Sequence, residues 1–144
     1  MKAIHNTYSD EKIEKFDFVK LGENTFENAS DFYYAITSML GIWFADKKLD
    51  IYETSYEYNV DDDNFLVVDD VAELVDIVSS KIYELVGAVD GLDLMEKENR
   101  GEARNIAKKL RESFLAEDYA GIYINNDREF DCTSLIAIDL TVIS

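Results

Sequence analysis

Nucleophilic or acid–base chemistry needs a base held beside the attacking group. This chain offers one histidine, His5, and one cysteine, Cys132, at opposite ends of the sequence. His5 lies in a polar N-terminal stretch, and with no second histidine every two-histidine zinc motif is excluded. A lone cysteine builds neither an intramolecular disulfide framework nor a multi-thiolate metal site. Cys132 also lacks a nearby base to generate its thiolate. The six glycines are dispersed and form no phosphate-cradling loop. Asp61, Asp62, Asp63 and Asn64 present oxygen ligands, but Phe65 follows and no glycine supplies the sharp turn of a calcium loop. Weak divalent-ion binding is the most that loop promises. Among 31 acidic residues, a pair suited to acid–base work has no diagnostic value. The expectation is a non-enzymatic protein without a resident cofactor or metal.

Charge is more informative than any motif. The 144 residues carry 31 acids against 14 bases, a net charge of −17. Such a field repels free nucleic acid and anionic membrane surfaces, since phosphate binding needs an excess of Lys and Arg. The longest mainly apolar stretch, 32–45, is shorter than the roughly 20 residues a bilayer helix requires. Residues 1–10 lack the apolar centre of a signal peptide, so a cytoplasmic location is expected. Eleven acids and only two bases, Lys47 and Lys48, fall between Asp46 and Asp76. Solubility alone does not require such clustering.

The elements that position these charges follow from periodicity. Alternation over Ile13–Leu21 predicts a short strand, and Ser30 caps a predicted helix over 31–46. Residues 50–60 alternate, with Tyr52, Thr54, Tyr56, Tyr58 and Val60 inward and Glu53, Ser55, Glu57 and Asn59 outward. Phe65–Val68 then reads as the returning strand of a hairpin. Asp69 or Asp70 caps a helix whose stripe runs through Val71, Leu74, Val78, Ile82, Leu85 and Val89 to a stop at Asp90-Gly91. A second helical stretch covers 92–117, broken near Gly101, and buries Ala103, Ile106, Ala107, Leu110 and Phe114. A C-terminal hairpin joins Tyr119–Ile124, through a turn at 125–127, to a strand over 135–143 that is apolar on both sides. The sum is a single α+β domain over 1–144, a mainly antiparallel sheet packed against two to three helices, with residues 1–12 as a mobile leader.

Folded so, Glu53, Glu57, Asp61, Asp62, Asp63, Asp69, Asp70, Glu73 and Asp76 form one acidic ridge. Residues two apart on a strand rise about 6.7 Å, close to the roughly 6.8 Å spanned by two nucleotide steps. In size and charge alone the chain resembles the small acidic inhibitors of phage anti-defence, the anti-CRISPR and anti-restriction proteins. That resemblance implies nucleic-acid mimicry: the ridge blocks the site of a basic, nucleic-acid-binding protein. An immunity protein or antitoxin for a dedicated toxin uses the same physics. An assembly or virion component is the third reading, because Arg100, Arg104, Lys108 and Arg111 share one helical face that would meet the acidic face of another copy. The charge leads to a first expectation. In a filter-binding or anisotropy titration at physiological salt, the chain should not bind duplex DNA or RNA. Saturable binding tighter than about 10⁻⁶ M would overturn the charge argument.

Overall fold

A computed structural model describes residues 1–19 and 21–144. Its elements run β1 (Lys2–Thr7), α1 (Glu23–Asn28), α2 (Phe32–Thr37), β2 (Ile42–Ala45), β3 (Thr54–Asn59), β4 (Phe65–Asp70), α3 (Val71–Val86), α4 (Gly91–Met95), α5 (Arg100–Ala116), β5 (Gly121–Asp127) and β6 (Cys132–Ala137). The fold is α+β, as the periodicity predicts. One six-stranded sheet has the order β3-β1-β2-β6-β5-β4. Every pairing is antiparallel except β4 with β5. That parallel pair is joined by the crossover carrying α3, α4 and α5, since parallel neighbours cannot be linked by a tight turn. No helix among the described residues is long and apolar enough to cross a membrane.

The middle of the sheet is its most buried part. Ser134 to Ala137 of β6 are buried in succession, with Ile136 turned to the helices and Leu135 and Ala137 to the opposite face. The helical side closes over Val68, Ile122, Ile124 and Ile136 with Leu74, Val78 and Ile82 of α3 and Ile106, Leu110 and Phe114 of α5. The other side packs Ala3, Phe44, Tyr58, Val60, Phe65 and Leu135 together, under Phe16 and the C-terminal Leu140 and Val142. Curvature is forced here. Five strand spacings separate β3 from β4, about 24 Å in a flat sheet. The link from Val60 to Phe65 spans at most about 18 Å. The sheet must therefore curl, which is how Val60 and Phe65 come to share one cluster.

Several local expectations change. Residues 13–19 contain no strand: Phe16 packs from a loop onto Phe44 and Tyr58, and Phe18 lies under Arg111; Lys20 lies outside the described residues. The first strand is instead Lys2–Thr7, inside the stretch expected as a mobile leader. Asp31, not Ser30, caps α2, accepting from the Tyr34 amide at 3.1 Å. That helix stops at Thr37, where the Thr37 and Ser38 hydroxyls donate to the carbonyls of Tyr34 and Ala35. Ile42–Ala45 then form a strand beside β6 rather than the helix's second half. The expected hairpin between 50–60 and 65–68 is absent, because β3 and β4 occupy the two ends of the strand order. α3 ends at Val86, four residues early, on Gly87 with φ +78°. Its Leu85, expected in the core, is exposed. The break between the later helices falls at 96–99, and Gly101 sits inside α5. The last hairpin turns at 128–131, and the chain leaves the sheet after Ala137.

Both sheet edges are partly closed. Asn59 and Ser144 exchange backbone hydrogen bonds of 2.9 and 2.8 Å on the side of β3 away from β1. On β4, the backbone amides of alternate residues, Phe65, Val67 and Asp69, point away from β5. The Phe65 amide donates to the Asp62 carbonyl and the Asp69 amide to Glu73 Oε2 at 2.6 Å, leaving Val67 as the open position. Gly41 gives a test of the tight centre. A Cβ there would lie 2.1 Å from the Ala137 carbonyl oxygen, whereas one at Gly101 would meet nothing within 4 Å. Gly41→Ala should cost about 3 kcal/mol or more in urea unfolding. Gly101→Ala should add about 0.4–1 kcal/mol through helix propensity. Equal effects from the two would overturn this account of the centre.

Candidate acidic interface and the cavity beside it

The nine acids lie along one continuous run of chain, but not on paired strands. Glu53 and Glu57 are exposed at β3, one end of the strand order. Asp61 to Asp63 occupy the link that the curl brings between β3 and β4. Asp61 and Asp63 are exposed and Asp62 half-buried. Asp61 Oδ1 accepts from the Asp63 amide at 3.2 Å, which holds this turn. Asp69, Asp70, Glu73 and Asp76 follow at the end of β4 and the start of α3. Asp70 Oδ1 accepts from the Glu73 amide at 2.9 Å while Glu73 reaches back to the Asp69 amide, a reciprocal cap. The nine acids thus follow the chain from the β3 end of the strand order, through the link, to the β4 end and the start of α3.

The bases are committed elsewhere. Arg111 Nη1 donates to the Met39 carbonyl at 2.6 Å and its guanidinium lies 4.3 Å from the Phe18 ring centroid. Arg104 Nη1 donates to the Val19 carbonyl at 2.9 Å, and Arg100 stacks 4.4 Å over Phe26. This helix face therefore ties down the segment between β1 and α2; Lys108 is left exposed. One ion pair occurs among the described residues, Lys81 with Glu117, and it involves none of the nine acids.

Beside the run of acids lies a cavity of about 1020 Å³. Cys132, Ser134 and Asp127 share the helical side of the sheet, and Ser134 and Asp127 line that cavity. A bulge between Ile124 and Asp127 shifts the register and turns Asp127 to that side. Asp127 is 2% exposed. Its Oδ2 accepts from the Ser134 hydroxyl at 2.7 Å, and Oδ1 has no hydrogen-bond partner among the described residues. Burial raises the Asp127 carboxyl above its ordinary value, reinforced by the Glu129 charge. The Ser134 hydroxyl and the nearby turn amides of Glu129 and Phe130 favour the charged form without reversing the shift, although neither amide makes a hydrogen bond to Oδ1. Burial likewise raises the Cys132 thiol, so it is a poor nucleophile at neutral pH. Tyr34 donates to Glu129 Oε2 at 2.6 Å, and burial with that bond pushes its hydroxyl well above the usual range. Nothing in the sequence singles out Asp127: the bulge that aims it is visible only once β5 and β6 are paired. No three His, Cys, Asp or Glu side chains among the described residues are grouped to hold a metal ion.

His5 also lines this cavity, but its ring packs on the opposite face of the sheet. Its ring meets Phe16, Phe44 and Tyr58 edge-on, at centroid distances of 5.2, 5.7 and 6.4 Å. Nδ1 donates to the Trp43 carbonyl at 3.1 Å, which fixes the tautomer. Burial lowers the imidazole below its ordinary 6.5, against the Trp43 carbonyl, which raises it. The unfolded chain therefore takes up this proton first as pH falls, so His5 makes stability rise with pH up to about 6.5 and level off above. The urea midpoint of the parent, measured relative to that of His5→Phe, should fall from about pH 7.5 to pH 5 as the parent loses stability. A constant difference across that range would show that His5 does not titrate with folding. No known protein family matches the chain, and neither a curated protein nor a solved structure matches it.

Proposed function

We propose that this chain is a non-enzymatic acidic inhibitor that occupies the nucleic-acid-binding site of a basic protein. The observation that carries the reading is an uncompensated charge. Nine acids follow one stretch of chain with no ion pair among the described residues, while Arg100, Arg104 and Arg111 are directed to aromatic rings and carbonyls of their own chain. Carboxylates left without counter-charges repel one another, and a cationic surface relieves that repulsion on contact. Rigidity adds to the fit: Asp70 and Glu73 are fixed in a helix cap and Asp61 in a turn, so little side-chain freedom is lost on docking. Exposed Glu53, Glu57, Asp69 and Asp76 add charge along the same stretch of chain.

The test is displacement. Labelled duplex is bound to a restriction or RNA-guided nuclease, and the chain is titrated in at low and at physiological salt. A cognate target should release its duplex. Replacing Asp61, Asp62 and Asp63 together with Asn removes three charges from a loop outside the core. At about 0.2–1 kcal/mol per exposed pair, this should weaken binding roughly tenfold and slow association most at low salt. Unchanged rate and affinity in the triple variant, against a nuclease that the parent displaces, would overturn the acidic-face mechanism.

A further inference from the structure

We propose that the cavity beside the acidic face is a binding site for one organic cation, a primary ammonium or a guanidinium, with Asp127 as its counter-ion. Asp127 is only 2% exposed, its Oδ2 held by Ser134 and its Oδ1 unbonded among the described residues. A buried acceptor without a donor is costly, and a ligand N–H supplies the missing bond. The walls agree with the charge. Tyr8 and Tyr52 lie ring to ring at 5.0 Å, Phe130 is 6.5 Å from Tyr52, and all three line the cavity. Aromatic faces attract cations through their quadrupole, most strongly where water is excluded. Glu129, fixed by Tyr34, adds a second carboxylate to the lining.

Other occupants fit less well. An anion would meet three carboxylates, those of Asp127, Glu129 and Asp17. A hard metal ion needs six or more oxygen ligands, and no three metal-ligating side chains are grouped among the described residues. Lys15 also lines the cavity but makes no ion pair with any of the three among the described residues. The cavity extends beyond Asp127 to His5, Phe16 and Phe44, so its volume of about 1020 Å³ leaves room for more than the charged head. Tyr8, 60% exposed, marks the opening. The site also adjoins the acidic face. Asp70 pairs in register with Asn126, the residue before Asp127, and Val71 of α3 lines the cavity. The cation can thus come from a free diamine or from a Lys or Arg side chain of a docked protein.

Trp43, the single tryptophan, lines the cavity and reports its occupancy. Its emission is followed while butylammonium and butylguanidinium are titrated in, with butanol and butyrate as neutral and anionic controls. The cations should give a saturable change in the millimolar range, and the controls none. Asp127→Asn, which keeps the Ser134 contact, should weaken the cations at least tenfold, with its melting curve showing an intact fold. Tyr52→Leu should weaken them about threefold to tenfold through the lost ring face. Putrescine binding more tightly than an acetylated Gly-Lys-Gly amide assigns the site to free amines; the reverse order assigns it to a partner's side chain. No saturable change up to about 100 mM amine, equal binding of butanol, or unchanged affinity in a folded Asp127→Asn would overturn the proposal. The Asp61, Asp62, Asp63 variant should bind butylammonium as the parent does, so this site stands or fails separately from the acidic-face mechanism.

Discussion

The link between β3 and β4 is too short for a flat sheet, and much of the molecule follows from that shortage. Curling the sheet to close the distance brings Val60 against Phe65 and creates a second core on the side without helices. That core needs a cover, and the chain provides one from two places, the loop bearing Phe16 and the C-terminal Leu140 and Val142. The loop in turn needs an anchor. Arg104 and Arg111 reach from α5 to Val19, Phe18 and Met39. A basic helix in an acidic protein thereby ties the cover of one face to the helices of the other.

This use of arginine shapes the surface. Guanidinium groups turned to carbonyls and rings contribute hydrogen bonds and stacking but bring little positive charge to the run of acids. The acids have local roles too. Glu73 and Asp70 close a helix cap, and the bond from the Asp69 amide to Glu73 also covers part of an open strand edge. Edge protection, helix initiation and surface charge are therefore served by the same few carboxylates. Their clustering has a structural cause in part, which leaves the exposed Glu53, Glu57, Asp63 and Asp76 as the acids whose placement the fold explains least.

Regular local patterns were legible in the sequence. The stripe of Leu74, Val78 and Ile82 and that of Ala103, Ile106, Ala107, Leu110 and Phe114 each appear as buried helix faces, and Leu135 with Ile136 announces a strand covered on both sides. Failures came where distant pairing decides. Phe32, Ile36, Met39, Leu40 and Trp43 keep helical spacing, but Trp43 lies opposite Ile136 in a sheet, and nothing within 32–45 announces that partner. Four acidic and amide residues between alternating runs look like a hairpin turn, although here they cross between the ends of a curled sheet. The candidate site divides in the same way. The run of acids is visible in the sequence because charge is local, whereas the cavity depends on a bulge that aims Asp127 and on strands that meet from across the chain.

The place of β6 has a consequence for biosynthesis. It lies between β2 and β5, joining the two halves of the sheet, and it is the last strand in chain order. During translation β2 must wait for residues some ninety positions further on, and β1 and β3 can complete the sheet only once they arrive. Such a topology rewards its long-range contacts late and leaves apolar strands unsatisfied on the ribosome. Mutual repulsion among the acids of an incomplete chain opposes the association of those strands with their neighbours. The net negative charge thus protects a nascent chain whose central strand arrives last.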